Sequence, residues 1–174
     1  WGKVQLTPHE PTLHRMRWIP HGRGGTYALA TLPLHGRDNV KGAGENTASI
    51  RLYTPPKDLA DAADANAWET TVLPTPLHKT HNMDVMPTIG GGKDVLLVGG
   101  AEGIFVTTPD GSASRTEPIP TGDGVGEIRR GPAFTRRGND LTAYATIQPL
   151  HGNQVVVHDL VGIDGEETQW HTTV

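Results

Sequence analysis

The chain has 174 residues, a formal net charge of −4 and a sequence pI near 6.1, with charges of both signs mixed and no basic block. That length suits one domain or part of one, and the mixed charge argues against nucleic acid as a partner. There is no cysteine, which excludes disulfides and thiolate metal sites, and no apolar run approaches the roughly 20 residues of a membrane span.

Gly (22) and Pro (14) make 36 of 174 residues and fall between short apolar runs. This pattern predicts many short strands joined by turns. The N-terminal WGKVQLTPHE has no signal-peptide core, and the compartment is left open.

Taken in chain order, the elements repeat. Trp1 precedes His14 by 13 residues, and Trp68 precedes His81 by 13. Each histidine opens a His-x-Met pair, "HRM" and "HNM". First strands are expected at His14–Ile19, His81–Thr88 and Glu127–Thr135. The turns PHGRGG, IGGGKD and RRGND follow them. Second strands are expected at Tyr27–Leu32, Val95–Val98 and Leu141–Ile147. Loops containing PLHG, GGAEG and PLHG come next. Third strands read SIRLYT, IFVTT and QVVVHDL, and fourth strands open near Trp68, Arg115 and Trp170. Only residues 57–68, KDLADAADANAW, offer a helical turn or two.

Four antiparallel strands recurring every 46 (127−81) to 67 (81−14) residues form a β-propeller blade pattern. The expected fold is therefore all-β: blade ends at 1–13 and blades at 14–80, 81–126 and 127–174. That is about three blades of a seven-bladed propeller, and so a partial propeller belonging to a longer protein or an assembled ring. A closed β-sandwich is the alternative.

Antiparallel order places first-strand starts and second-to-third loops at one end of each blade. His14, His81 and Glu127 begin first strands. His35, Glu102 and His151 lie in the loops. Imidazole and carboxylate are ligands for Zn²⁺ and similar ions. We therefore expect His14, His81 and Glu127 to hold a divalent metal, zinc or else magnesium, with His35, Glu102 and His151 as catalytic groups. Duplication and rim packing alone would produce the same repeat. The methionine of each His-x-Met is expected to pack between blades. Arg17, Asp84 and Arg130 share the motif's fourth place and suit an inter-blade charge network or a substrate rim. His9, His21, His78, His158 and His171 are out of phase and are expected as solvated loop or strand residues. Trp68 and Trp170 are expected as packing aromatics.

The stretches PHEPTLHRMRW, LATLPLHGR, LHKTHNMDV and LLVGGAEGIFV resemble the propeller domain of the fungal aldos-2-ulose dehydratases. The resemblance covers most of the chain, but those enzymes are much longer. It implies a seven-bladed propeller joined to cupin and lectin-like domains, of which no segment is visible here. It also implies a metal-dependent lyase acting on keto-sugars such as 1,5-anhydro-fructose or glucosone, with a metal in the propeller cleft. The family's ligands do not carry over from a fixed motif, and His14 and His81 match in style only. The partners expected are a small sugar substrate and the remaining blades or domains. No nucleic acid or membrane is expected. A non-catalytic propeller binding glycan or protein is the other class.

Overall fold

The computed structural model describes residues 3–6, 12–21, 26–39, 44–86, 94–112, 114–117, 124–136, 139–160 and 171–173. Trp1, Trp170 and most of the first-to-second-strand turns lie outside these residues. Twelve described strands form three four-stranded antiparallel sheets, each a simple meander in chain order. The first holds β1 (Leu13–Pro20), β2 (Tyr27–Pro33), β3 (Ser49–Thr54) and β4 (Glu69–Pro74). The second holds β5 (Thr80–Met86), β6 (Val95–Gly100), β7 (Gly103–Thr107) and β8 (Ser114–Glu117). The third holds β9 (Ile128–Arg136), β10 (Asn139–Gln148), β11 (Gln154–Leu160) and β12 (His171–Thr173). The chain divides into two compact units, Trp1–Lys79 and Thr80–Val174.

In the first unit, alternation along the strands gives the sheet one buried face. Ile19, Ala28, Ala30, Leu32, Ile50, Leu52 and Leu73 are buried. Residues 57–68 form two 3₁₀ turns, Leu59–Ala63 and Ala65–Ala67. Asp58 and Asp64 cap them, each accepting a 2.9 Å bond from a backbone N–H two residues on. Side-chain capping of this kind suits a short turn between strands better than a long helix. The long β2–β3 loop is clasped by Asn39, whose Nδ2 donates to Asn46 O at 2.6 Å. Its Oδ1 accepts from Asn46 N at 3.3 Å. Trp68 stands at the entry to β4 with its ring centroid 6.5 Å from that of Trp18, and its Nε1 donates to Ala62 O at 3.1 Å. It packs as an aromatic, as the sequence suggests.

In the second unit the middle sheet is buried on both faces: β6 and β7 have no exposed residue. One of its faces packs on the third sheet through Met86, Val95, Leu97, Ile104 and Val106 against Val125, Ile128 and Tyr144.

Two expectations need correction. Met83 is buried as expected, but Met16 is 74% exposed, because it lies on the open face of the first sheet. His158 is not solvated. It is buried on β11, stacked on Tyr144 with centroids 4.6 Å apart and planes 7° apart. Its Nε2 lies 2.9 Å from Thr146 Oγ1, which also accepts from Gln148 Nε2 at 2.9 Å. The repeat phase places His158 correctly out of register but cannot reveal that its face is the buried one.

Removing a buried ring and its bond should therefore be costly. His158→Ala is expected to lower stability by about 2–4 kcal/mol in urea unfolding. A change within about 0.5 kcal/mol, the usual range of a surface substitution, would contradict the buried placement.

Candidate functional site at the first-strand starts

The three residues singled out by the repeat share a structural position. In β1 the register passes from Leu13 opposite Pro33 to Arg15 opposite Leu32, so His14 is the extra residue of a β-bulge. In β5 Thr80 faces Gly100 and Asn82 faces Gly99, so His81 is the extra residue there. Ahead of β9, Gly126 N donates to Ile147 O and Ile147 N donates to Glu127 O, both at 3.0 Å, so two residues oppose one. A bulge bends the strand and re-aims the side chain it carries, and bulges are enriched beside functional sites.

The second unit brings three of the expected groups together. His81 Nδ1 lies 3.8 Å from Glu127 Oε1. The His151 ring meets the His81 ring edge to face, with centroids 4.9 Å apart. His151 is exposed in the β10–β11 turn, closed by a bond from Gly152 N to Pro149 O. Glycine is required where that turn passes the start of β9, since a Cβ on Gly126 would fall 2.0 Å from Leu150 O. Gly124 adopts φ +77°, which favours glycine, and lies against Ala101.

The carboxylate of Glu127 is fixed from its other side. Asn82 Nδ2 donates to Oε2 at 2.5 Å, and Arg129 Nη2 lies 3.0 Å from the same oxygen. Asn82 Nδ2 also reaches Ile128 O at 3.3 Å. One turn of the alternation further, buried Asp84 accepts from Val85 N at 2.7 Å and from Arg130 N at 2.9 Å. Asp84 thus binds the next sheet through backbone rather than through the Arg130 side chain, which is exposed. Asn82 and Arg129 were not singled out in the sequence. The available signal was position, each falling one or two places past a bulge residue.

The other expected groups are placed as follows. Glu102 is exposed in the Ala101–Glu102 turn between β6 and β7, at the end of that sheet where β5 begins. In the first unit, His14 is half-buried at the start of β1. His35 is buried in the β2–β3 loop, bridged to Lys79, with Nδ1 3.0 Å from Gly36 O. His35 therefore supports its own loop.

As a metal centre, His81 and Glu127 supply one nitrogen and one carboxylate oxygen, which are zinc-type donors. Among the described residues no group of three or more His, Asp or Glu is placed to hold a metal ion. The pair with His151 does suit proton transfer. The Glu127 carboxylate and the His151 ring stand within reach of the same small volume beside His81.

The role of Asn82 can be checked by substitution. Asn82→Ala loses both bonds and is expected to cost about 1–3 kcal/mol. Asn82→Asp should cost more at neutral pH, since it sets a carboxylate against Glu127, and should regain part of the loss when both carboxyls are protonated at low pH. Equal stability of both variants and the wild-type protein in urea unfolding would contradict the geometry.

Comparison of the chain with protein-family models, curated proteins and solved structures finds no match.

Proposed function

We propose that the three meanders are consecutive blades of a seven-bladed β-propeller whose remaining blades belong to other sequence. In this reading the bulged end of β5 and β9 is the working face of a carbon–oxygen lyase. Its substrate class is a keto-sugar such as 1,5-anhydro-fructose or glucosone. The resemblance to the aldos-2-ulose dehydratases supplies the substrate class. The observation that carries the chemistry is the approach of His81 to Glu127 at 3.8 Å with His151 beside it.

The proposed reaction is elimination of water. His81 takes the proton α to the ketone through the nitrogen opposite Nδ1, while Glu127 stabilises the imidazolium that forms. His151 gives a proton to the β-hydroxyl. One C–H and one C–O bond break, the electron pair of the C–H bond becomes the new C=C bond, and the hydroxyl leaves as water. Glu102, at the same end of the middle sheet, remains a proposed contributor. The proposal extends to a divalent ion, zinc or magnesium; were it bound, His81 and Glu127 would be two of its donors in place of their proton-transfer roles, and it would polarise the ketone oxygen.

A second reading, a rim that binds glycan or protein without turnover, is favoured by one observation. Glu127 Oε2 already faces Asn82 and Arg129, the environment of a structural anion.

Turnover separates the two. The chain is incubated with 1,5-anhydro-fructose, and the unsaturated ketone is followed by its ultraviolet absorbance, with and without chelator. The lyase reading expects product, and expects His81→Ala and Glu127→Gln each to lower kcat/KM by about 100-fold or more. Absence of product with added zinc and with added magnesium, or full activity in both variants, would contradict it.

A further inference from the structure

The base and the acid of an elimination can stand in two ways. They work from opposite faces of the substrate when the departing hydrogen and hydroxyl are anti. They work from one face when the two are syn. Groups on opposite faces have the sugar ring between them, and each must still come within about 2.6–3.2 Å of the atom it serves.

In the second unit the His81 and His151 rings are in contact, with centroids 4.9 Å apart and planes at 82°. That is edge-to-face packing of two rings. No sugar ring fits between side chains packed in this way. Glu127 closes another side. Its Oε1 stands 3.8 Å from His81 Nδ1, and that nitrogen is buried. Its Oε2 is held by Asn82 and Arg129, so the carboxylate keeps its place. His81 therefore meets a substrate through its other nitrogen. His151, exposed in the turn beside it, meets the same substrate from the same side.

We propose that this pair makes the elimination syn, and so selects keto-sugars whose α-hydrogen and β-hydroxyl lie on one face of the ring. The inference rests on the lyase reading and adds to it a stereochemical course. His81 takes the hydrogen from the carbon next to the ketone, as a proton. His151 gives a proton to the hydroxyl on the neighbouring carbon, and that hydroxyl leaves as water. The C–H electron pair becomes the C=C bond, and proton exchange with solvent returns both imidazoles to their starting states. Hydrogen and hydroxyl on one face of adjacent carbons are close neighbours, as the two imidazoles are. A hydroxyl on the other face would depart where neither imidazole reaches.

The test compares two epimers on the wild-type chain. In 1,5-anhydro-fructose the C3 hydrogen and the C4 hydroxyl share a face; in its C4 epimer they lie on opposite faces. Both lose water to the same unsaturated ketone, because C4 becomes trigonal, so one absorbance follows both. The value of kcat/KM for 1,5-anhydro-fructose should exceed that for the C4 epimer by about 100-fold or more, the size of effect that a misplaced reacting group produces. The C4 epimer should still inhibit competitively, with a Ki within about 10-fold of the KM for 1,5-anhydro-fructose, which places the loss in the chemical step. Equal or faster turnover of the C4 epimer would overturn the syn course and leave the lyase reading standing. An epimer that neither reacts nor inhibits would assign the selection to binding and would also overturn the proposal. Turnover of neither sugar would overturn the lyase reading, and this inference with it.

Discussion

In the second unit, the packing of one sheet on the next depends on two side chains of β5 that reach the backbone of the following sheet. Asn82 donates to Ile128 O, and Asp84 accepts from Arg130 N. Both residues point to the same side of the strand, two places apart, as the pleat requires. Backbone at the inner edge of a sheet normally finds its partner in another strand. Here side chains supply part of that pairing, so β5 and β9 adjoin without forming a ladder. The relative register of the two sheets is thereby fixed to a single residue. A slip of one place would turn both polar groups to the opposite face.

That register has a chemical consequence. His81 immediately precedes Asn82, and Glu127 immediately precedes Ile128. Pinning position 82 to position 128 brings the two bulged residues together, and the short turn at His151 completes the cluster. The same side chain acts on both levels, since Asn82 holds the sheet and also the Glu127 carboxylate. Buried polar groups stabilise a fold only when their bonds are made, and each orphaned one costs about 1–3 kcal/mol. Placing them next to an apolar cluster of Met86, Val95, Leu97 and Ile128 makes the alternative packings expensive. The His158–Thr146–Gln148 chain plays a comparable part within the third sheet.

Much of the architecture was legible in the sequence, for a definite reason. Strand period, turn residues and a repeated Trp-to-His spacing all report local structure, and the structure follows them: β1, β5 and β9 start within one residue of His14, His81 and Glu127. The bulge at each of these positions was not legible, because a bulge depends on the partner strand's register. Burial of a polar residue was equally hidden. His158 looks like an ordinary surface residue until its face is known, and Asp84, which the repeat suits to a contact between blades, makes it through the Arg130 backbone. Met16 fails in the opposite direction, since its spacing matches that of Met83 while its sheet leaves that face open. Of the candidate site, the residues could be chosen from the sequence; their partners Asn82 and Arg129 could not, since those contacts come from the next sheet.

The central claim is that Asp84 and Asn82 fasten β5 to β9. Amide hydrogen exchange at Arg130, followed residue by residue by NMR, tests it most directly. The account predicts that the Arg130 amide, bonded to buried Asp84 at 2.9 Å, exchanges slowly in the wild-type protein and becomes fast in Asp84→Ala while the β10 amides stay protected. Rapid exchange at Arg130 in the wild-type protein, or protection unchanged by removing Asp84, would contradict it.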